Sequence, residues 1–587
     1  YIEAAFTKDL KYKVLFAYDL YNTRQDKFRP STFPASNTAG NPETDATATS
    51  QTTTNFNWLL EQTLNYSKQF GNHSINALAG WSLQKDDLRG NYAYASGFIS
   101  NQITTLSAGR VTDGTSEQSQ WSLASGIARI QYNYLGKYLL TASVRADGSS
   151  KFGVNKRWGN FPSASVGWRL SDEKFMEGVS FISDLKMRVS YGLTGNFKIP
   201  NYGALGSMAY FAYVFGNNPP KAVNGAAPTS RPNPNLSWEK TAQTNFGLDA
   251  GFWSNRLTVS LDYYNSNTKD LLLNVPVPIS TGFSTELINI GKVNNRGFEV
   301  NIGTSNRFGN LVWNASVNFS TNKNKVIELG PGNADIINSG SVANAYFITR
   351  VGEPIGSYFL PKVLGVFATQ ADVDAYPHFM DAASNFGLAT TKPGDFKFWD
   401  ADGDGKINLT SDRTIIGSYQ PKYTFGFATD LQWKEFDFSV ALQGVNGNKI
   451  LNLGRRYFYN HEGNMNNYAG AVNRWKSESE PGSGKNARAN RVGKGQNGIT
   501  SSWHVEDGSY LRIRNITLGY ALSPSAIERW GITKTRLYLS LQNMFTFTKY
   551  EGYNPEVSNR SVSTTNGEDY GVYPTAKTVS VGINLTF

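Results

Sequence analysis

The sequence predicts an all-β protein, specifically a transmembrane antiparallel β-barrel. Three observations predict this fold class. Apolar and polar residues alternate with period two along about seventeen segments, most of them roughly ten residues or longer, the length that a tilted strand needs to cross a bilayer. The connections between these segments alternate between short and long. No run of about 18 or more apolar residues occurs, which excludes a helical membrane span.

The composition fits a barrel whose strands each have one apolar face. Aromatic residues make up 13% of the 587 residues, yet the mean hydropathy is only −0.40, because alternating strands average to a polar value. The absence of cysteine excludes disulfide scaffolds and cysteine metal sites. The formal charge of +10 is spread along the chain without a block of like charges, so a solvated surface is favoured over a nucleic-acid-binding patch.

Each predicted strand follows from its own alternation. In the stretch RLTVSLDYY, for example, Leu257, Val259, Leu261 and Tyr263 lie on one face. The predicted strands, in chain order, are 1–8, 11–24, 51–69, 74–96, 119–134, 137–146, 157–171, 185–196, 237–252, 256–273, 295–306, 311–328, 419–433, 437–452, 509–522, 533–550 and 576–587.

Two of these strands carry further information. In YLRIRNITLGY the apolar set changes phase between Ile513 and Ile516, which predicts a β-bulge near Asn515. The last strand, VSVGINLTF, alternates apolar residues with small polar ones, and we expect its apolar side chains to face lipid. The C-terminal Phe587 resembles the signal that the outer-membrane barrel assembly machinery reads.

The connections predict the orientation of the strands. Short connections such as QFGNH and WKEF are expected to be periplasmic turns, and the long ones extracellular loops, so that the C-terminus lies in the periplasm. The odd strand count, and a start at Tyr1 without Met or a signal peptide, predict further strands upstream unless the count is wrong by one. The long connections are 25–50, 97–118, 197–236, 274–294, 329–418, 453–508 and 551–575.

Several stretches carry a family resemblance in their order and spacing. They are RADGSSKFG (145–153), RWGNFPSASVGWRLSDEKF (157–175), LKMRVSYGLTGN (185–196), NPNLSWEKTAQTNFGLDAGF (233–252), DYYNSNTKDLLL (262–273), NIGKVNNRGFEV (289–300), VGEPIGSYF (351–359), YLRIRNITLGY (510–520) and the terminal strand. Together they resemble the SusC-like TonB-dependent transporters of the Bacteroidetes outer membrane.

The resemblance implies a barrel of about 22 strands whose lumen is filled by an N-terminal plug. Residues 1–587 would then form about the last seventeen strands, without the plug and the segment that contacts TonB. The resemblance also implies active uptake of oligosaccharides or oligopeptides, a SusD-like surface lipoprotein as partner, and a wall surrounded by outer-membrane lipid. Two other functions stay open. One is a passive porin or adhesin barrel, and the other is a scaffolding barrel within a larger outer-membrane complex.

The long connection 329–418 contains the motif DADGDGKINLTSDRTIIG, which resembles an EF-hand calcium loop. Oxygen ligands at alternate positions wrap a hard cation, and Gly405 allows the sharp turn. Position 12 of the loop is Ser411, so the closing carboxylate would come one residue late. The alternative is a tight Asp/Gly turn that caps its own backbone. The candidate ligands of calcium, or of another hard cation, are Asp400, Asp402, Asp404, Lys406, Asn408 and Asp412.

Aromatic residues of the connections 453–508 and 197–236 are the candidate substrate-binding side chains. Their faces could stack on sugar rings or hold peptide side chains, although interfacial-girdle or loop-packing roles are favoured on base rates. The candidates are Tyr457, Tyr459, Tyr468, Trp475, Trp503, Tyr210 and Tyr213.

The sequence does not predict an enzyme. The four histidines are scattered and form no HExxH motif. His504 is close in sequence to Glu506 and Asp507, but no serine-containing nucleophile elbow accompanies it.

Overall fold

The fold is described from a computed structural model of the chain. Among the residues it describes, no helix is long and apolar enough to cross a membrane. Parts of five predicted long connections lie outside the described residues, namely 33–45, 217–220, 379–390, 460, 464, 491–494 and 558–562, and so do residues 524–530. The described residues are 1–32, 46–216, 221–378, 391–459, 461–463, 465–490, 495–523, 531–557 and 563–587.

The chain forms two compact units, which are described separately. Unit 1 comprises Tyr1–Trp168, Val189–Gln243 and Thr268–Ile290. Unit 2 comprises Arg169–Arg188, Thr244–Asn267 and Gly291–Phe587.

Unit 1 begins with a meander of long strands, in which each strand pairs antiparallel with the next. The alternation seen in the sequence places Phe16, Tyr18 and Leu20 on one face of the second strand, and all three are exposed. An exposed apolar face is what a lipid-facing strand requires. The strands are β1 (Ile2–Ala5), β2 (Leu10–Arg29), β3 (Thr47–Phe70), β4 (His73–Ser96), β5 (Arg110–Tyr134), β6 (Tyr138–Ser149) and β7 (Trp158–Arg169).

The next part of the chain contains three long strands and two short hairpins. A small hydrophobic cluster, which includes Phe152, Leu236 and Trp238, holds connections of unit 1 together. The Trp238 indole N–H also donates a 2.8 Å hydrogen bond to the Arg157 carbonyl. The strands are β8 (Ile182–Asn196), β9 (Met208–Phe215), β10 (Lys221–Pro228), β11 (Glu239–Phe252), β12 (Leu257–Lys269), β13 (Leu272–Pro276) and β14 (Thr285–Asn289). Each of the three long strands, β8, β11 and β12, has residues in both units.

Unit 2 contains the remaining strands and two short helices, α1 (Gln370–Asp374) and α2 (Gly454–Phe458). The strands are β15 (Lys292–Phe308), β16 (Leu311–Thr321), β17 (Lys323–Glu328), β18 (Ile336–Ser339), β19 (Tyr346–Thr349), β20 (Ser357–Pro361), β21 (Val363–Val366), β22 (Phe396–Phe398), β23 (Arg413–Gly417), β24 (Tyr423–Trp433), β25 (Phe436–Asn446), β26 (Lys449–Asn452), β27 (Val505–Asp507), β28 (Tyr510–Ala521), β29 (Lys534–Thr548), β30 (Glu568–Asp569) and β31 (Thr578–Thr586).

The long strands of unit 2 form an antiparallel ladder in the order β15, β16, β24, β25, β28, β29 and β31. The predicted bulge is confirmed, because the register between β28 and β29 shifts between Ile513 and Asn515. The apolar face of β31 is also confirmed as exposed, with Val581 83% accessible. Polar side chains occupy the opposite face of the strand, as its alternation predicts.

Every predicted strand span overlaps an observed strand, but three spans run across a break between two strands. The span 256–273 covers β12 and the first residues of β13. The span 311–328 is divided into β16 and β17. Strand β16 pairs with both β15 and β24, and its pairing with β24 ends where Thr321 lies opposite Tyr423. Strand β17 pairs with β15. The span 437–452 is divided into β25 and β26 by Gly447, whose φ of +84° is left-handed.

Candidate substrate-binding loops

Three long connections of unit 2, 322–422, 447–509 and 549–577, contain the short strands. The first two of them pack around two hydrophobic clusters. We call these clusters the loop core. Burial of side chains this large stabilises each by about 1.5–3 kcal/mol relative to exposure, so the connections have a core of their own. The buried members are Ala345, Phe347, Tyr358, Leu360, Leu451 and Leu453 in the first cluster, and Phe396, Phe398, Ile407, Ala487 and Ile499 in the second.

Strand pairing and buried hydrogen bonds join the three connections around the first cluster. Strand β26 pairs antiparallel with β27 and parallel with β30, where Leu451 lies opposite Glu568. The Tyr358 hydroxyl donates to the Gly567 carbonyl at 2.8 Å. The Ser341 hydroxyl donates to the fully buried Glu568 carboxylate at 2.7 Å, across 227 residues of sequence. These contacts fix the connections to one another.

A buried ion pair holds the second cluster. The Arg488 guanidinium donates to both oxygens of the fully buried Asp395 carboxylate, at 2.7 and 3.1 Å. The Asn497 side-chain amide donates to Asp395 at 2.8 Å and to Glu462 at 2.9 Å. Burial raises the pKa of the Glu462 carboxyl. A bidentate pair satisfied in this way orients both chain segments that carry it.

A cavity of about 550 Å³ lies beside the loop core and is lined by aromatic and polar side chains. Arg455 organises one side of it. Its guanidinium lies 4.6 Å from the ring centre of Trp503, donates to the Trp503 carbonyl at 2.7 Å, and forms a 3.0 Å ion pair with Glu551. Tyr459 and Asn486 also line this cavity. Ring faces beside hydrogen-bonding groups are a composition suited to a sugar or a peptide.

The structure brings three of the predicted aromatic residues together. The ring of Tyr459 lies 5.5 Å from that of Tyr468 and 5.7 Å from that of Trp503, both in edge-to-face geometry. Trp503 also packs 5.6 Å from Phe396 of the loop core. Tyr459 and Trp503 line the cavity and contribute to loop packing at the same time.

Tyr457 and Trp475 lie elsewhere in the same connection, and neither is among the described residues that line this cavity. The Tyr457 hydroxyl is 3.3 Å from that of Tyr570. The Trp475 backbone N–H donates to the Asn486 carbonyl at 3.1 Å. The Tyr457 side chain thus contacts another connection, whereas Trp475 is bonded within its own connection through its backbone.

Tyr210 and Tyr213 belong to unit 1, on the hairpin of β9 and β10, which we call the aromatic hairpin. Six large apolar side chains of β9 are exposed, among them Tyr213 at 64%. Because side chains alternate along a strand, these residues cover both faces of the hairpin. A two-stranded hairpin is at best marginally stable alone, and exposed apolar surface of this kind marks an interaction site.

The Asp-rich loop gathers three of its predicted ligands. Oxygen atoms of Asp400, Asp402 and Asp412 all lie within 4.8 Å of one another. Asp412 is fully buried and accepts backbone hydrogen bonds from Ala401 at 2.8 Å and Asn408 at 2.6 Å. A hydrogen bond from the Ser411 hydroxyl, followed by one from the Asp404 backbone, lowers the pKa of Asp402. The group offers clustered anionic oxygens of the kind that hard cations bind.

The predicted side-chain ligands, including those three, also accept hydrogen bonds from the local backbone. The Asp404 carboxylate accepts a 2.8 Å hydrogen bond from the Lys406 backbone N–H. The Asn408 side-chain oxygen accepts from Thr410 at 2.9 Å and Ser411 at 2.8 Å. These bonds are those of a self-capping turn, and metal binding by the loop stays a prediction.

With this geometry described, comparison with known proteins identifies the family. A family model described as TonB dependent receptor-like, beta-barrel, matches residues 3–544, which is nearly the whole chain. The chain belongs to this TonB-dependent receptor family. The predicted fold class and the SusC-like resemblance are thereby confirmed, and barrels of this family lie in the bacterial outer membrane.

Relatives match most or all of the chain. TonB-dependent receptor P3 of Formosa agariphila is 36% identical over 608 residues, covering 100% of this chain and 57% of the relative. TonB-dependent receptor SusC of Bacteroides thetaiotaomicron is 31% identical over 494 residues, covering 81% of this chain and 45% of SusC. The chain thus spans about half the length of these relatives.

A solved structure supports the fold of the receptor chain. The structure of the RagAB peptide transporter superposes with a TM-score of 0.82 at 24% identity, covering 100% of this chain and 61% of that one. At this identity the likeness shows the fold alone.

The surroundings of His504 are those of a packed side chain. It is buried, and its Nδ1 accepts a 3.1 Å hydrogen bond from the Ser501 backbone N–H. Burial, followed by the charges of Arg456 and Arg455, lowers its pKa to about 3. Glu506 bonds to Asn452 instead, at 2.7 Å, and among the described residues no carboxylate bonds to His504. The family consists of transporters, in agreement with the prediction that the chain is not an enzyme.

Sequence reasoning missed the polar residues that accompany Tyr459 and Trp503 in the receptor cavity. Arg455, Asn486 and Glu551 come from two separate connections, and no motif announces them. The only local signal was the position of Arg455 inside the aromatic stretch LGRRYFYN.

Proposed function

We propose that the chain forms the wall and the substrate-facing loops of a transporter that imports oligosaccharides or oligopeptides across the outer membrane. Energy would reach the transporter through TonB. The observation that carries the proposal is the match of the TonB-dependent receptor family to residues 3–544. The long connections would face the cell exterior, and the C-terminus at Phe587 would lie in the periplasm, as short-turn and long-loop patterns of such barrels favour.

The 550 Å³ cavity is our candidate for a substrate subsite. Tyr459 and Trp503 supply aromatic surface, and Asn486 and Glu551 supply hydrogen-bonding groups. Stacking on a ring contributes about 0.5–1.5 kcal/mol beyond the burial of area. Both sugar rings and peptide side chains are suited to such a surface, and both substrate classes stay in the proposal.

We assign the aromatic hairpin to contact with a SusD-like surface lipoprotein. Tyr210 and Tyr213 are exposed there together with Phe211 and Phe215. Aromatic side chains are enriched at protein interfaces, because each covers a large apolar area at a low cost in conformational entropy.

We further propose that the Asp400–Asp412 loop holds calcium. The support is the convergence of the Asp400, Asp402 and Asp412 oxygens. The ion would stiffen the connection that supplies strand β22 to the loop core and would take no part in transport chemistry.

Import is tested by deleting the gene and following uptake of defined oligosaccharides and oligopeptides. Loss of uptake of one substrate, restored by the intact gene, is expected. Uptake that persists after dissipation of the proton gradient would favour the passive porin or adhesin barrel. Unchanged uptake of every substrate, together with loss of a co-purifying complex, would favour the scaffolding barrel.

The cavity is tested with Tyr459→Ala, with Tyr457→Ala as the matched control in the same connection. Removing the lining ring should raise the substrate concentration for half-maximal uptake about tenfold, the equivalent of about 1.4 kcal/mol. Tyr457 does not line the cavity, so its variant should stay within about twofold, which is the scale of a surface substitution. Equal effects of the two variants would remove the cavity from the proposal.

The hairpin is tested by co-purification of the lipoprotein with the double variant Tyr210→Ser and Tyr213→Ser. We expect loss of most of the captured lipoprotein, because the exposed aromatic surface is removed. Tyr553→Ser with Tyr573→Ser is the control, since both of these tyrosines are exposed in unit 2. Undiminished capture by the hairpin variant would contradict the assignment.

A further inference from the structure

A second cavity of unit 2, of about 890 Å³, is lined by four lysines that come from distant parts of the chain. Lys323 and Lys325 lie on β17, Lys422 precedes β24, and Lys449 begins β26. Surface lysines are ordinarily dispersed and solvated, because like charges repel when they are brought together. Convergence of these four on one concave surface therefore calls for an explanation.

The protein neutralises the charge of these four lysines only in part. Among the described residues, none of the four ammonium groups has a carboxylate within 4.0 Å. The lining contains two carboxylates, Glu353 and Asp507, so four positive and two negative charges leave a net charge of +2. The Asp507 carboxylate accepts a 2.7 Å hydrogen bond from the Ser509 hydroxyl, and this bond, followed by the charge of Lys449, lowers its pKa. The cavity thus attracts an anion.

The strand register places part of this cavity on the outer face of the wall. Lys323 lies opposite Arg296 of β15, and residues opposite each other in a ladder share a face. Phe298 follows Arg296 by two residues and so lies on the same face, where it is 59% exposed. The apolar stripe of β15 continues through Val300, which is half-buried, and Ile302, which is exposed. The basic cluster therefore begins where a lipid-facing stripe ends.

This position sets the chemistry of the ligand. The lipid-facing stripe of a membrane barrel ends at the level of the headgroups, where the common anion is phosphate. Lysine ammonium groups bind phosphate as point charges and donate up to three hydrogen bonds each. Several lysines around one cavity match the three acceptor oxygens of a phosphate group.

We propose that the Lys323–Lys449 cavity is a phosphate-binding site, whose ligand is either the phosphate of a membrane-lipid headgroup or free phosphate. Lys323, Lys325, Lys422 and Lys449 neutralise the anion. Neither the family assignment nor the proposed import requires this site. A bound headgroup would attach the lipid to the wall beside the start of the 322–422 connection.

The experiment measures binding to the purified protein in a nonionic detergent. Inorganic phosphate is titrated by calorimetry, and retained phosphatidylglycerol and phosphatidylcholine are compared by native mass spectrometry. We expect Lys323→Gln with Lys325→Gln to weaken binding of the anionic probe at least tenfold. The matched control, Lys8→Gln with Lys68→Gln, removes two exposed lysines of unit 1 that do not line the cavity, and binding should change less than twofold.

The two arms separate the sources of the phosphate. Preferential retention of phosphatidylglycerol, with no heat of binding for inorganic phosphate, assigns the site to a lipid headgroup. Binding of inorganic phosphate that is lost in the Lys323 and Lys325 variant assigns it to the free anion. Equal behaviour of the cavity variant and the control variant, in protein whose circular dichroism shows the folded barrel, would overturn the proposal. Equal retention of the two lipids, without phosphate binding, would also overturn it.

Discussion

The aromatic hairpin and the loop core are both rich in aromatic side chains, yet the structure treats them in opposite ways. On the hairpin, Tyr213 is 64% exposed and its ring contact is with Phe215 on the same strand, at 5.0 Å. Beside the loop core, Trp503 packs against Phe396, Tyr459 and the Arg455 guanidinium. The same residue types therefore serve an exposed surface in one region and a packed support in the other.

This difference shows what an aromatic residue in a long connection can be used for. An aromatic ring that already has neighbours on several sides supports its loop and offers one free edge to a ligand. An aromatic ring without such neighbours gains its burial only from a partner. We expect substitutions in the loop core to cost stability, and substitutions in the hairpin to cost association.

The largest effect is expected from Arg488→Met, which leaves the Asp395 carboxylate buried without its ionic partner. Breaking one side of a buried pair costs about 3–5 kcal/mol. Hydrogen exchange at β22 should accelerate accordingly, while exchange in the aromatic hairpin stays unchanged.

Arg350→Met is the control for this variant. Arg350 pairs with Asp335 at 2.7 Å in the same connection, but both side chains are more than a third accessible. Exposed pairs contribute at most about 1 kcal/mol. Equal protection loss in the two variants would show that the buried pair does not support the loop core.

The second effect compares Trp503→Ala with Tyr213→Ala directly. Removing the packed indole should destabilise the loop core by about 3 kcal/mol, whereas the exposed tyrosine should contribute less than about 0.5 kcal/mol. Limited proteolysis of the purified protein measures both. If Tyr213→Ala were cleaved as readily as Trp503→Ala, the hairpin would be a structural element and the comparison would fail.

The third effect is a pH dependence confined to the loop core. The pKa of His504 is lowered from 6.5 to about 3 in the folded state, so its contribution to stability is fully present above pH 6.5 and is lost as the pH falls towards 3. Each pH unit in this window is worth about 1.4 kcal/mol, so acidification from pH 7 to 5 should cost about 2 kcal/mol.

Glu506 and Glu462 act in the opposite sense, because burial raises their pKa and their protonation in the folded state offsets part of the loss at low pH. The contribution of His504 is therefore measured as a difference from His504→Gln, with exchange at β27 as the readout. His73→Gln is the control, since His73 lies at the start of β4 in unit 1. Identical pH profiles of wild type and His504→Gln would refute the prediction.

The smallest effect is expected from calcium. A loop with a dissociation constant of about 10⁻⁴–10⁻³ M, typical of extracellular sites, gains about 1 kcal/mol in about 1 mM calcium. Calorimetry should detect binding that Asp400→Asn abolishes. Asp404→Asn separates the two ligand sets, because Asp404 lies outside the Asp400, Asp402 and Asp412 group. No heat of binding in the wild type would reduce the motif to a turn.

The strands were predictable because their signal is local. The predicted strand 74–96 agrees with β4, which spans His73–Ser96. The agreement is close because one lipid-facing and one polar face require apolar and polar residues to alternate along the whole strand. The bulge beside Asn515 was predictable for the same reason, because an extra residue changes the phase of the apolar set.

The loop core was not predictable, because its contacts join residues far apart in the sequence. Asp395 and Arg488 are separated by 93 residues, and neither stands in a motif. The sequence predicts a loop for the hairpin strand MAYFAYVF, because its apolar residues run almost continuously and show no period of two. The Asp-rich loop shows the limit of motif reading, because three of its six candidate ligands converge and the same side chains also cap the local backbone.

The parallel pairing of β26 with β30 has a consequence for folding order. Leu451 can pair with Glu568 only after the connection 549–577 has taken its position. Ser341, which is 227 residues away from Glu568 in the sequence, bonds to the same side chain. Closing loops of this length carries an entropic cost before any contact compensates it, and non-local pairing of this kind slows folding. The long strands can pair with their neighbours in the sequence. The contacts around the loop core can form completely only when residues near the carboxyl end have folded. Formation of the complete loop core is thus a late step of folding, which follows the pairing of the long strands.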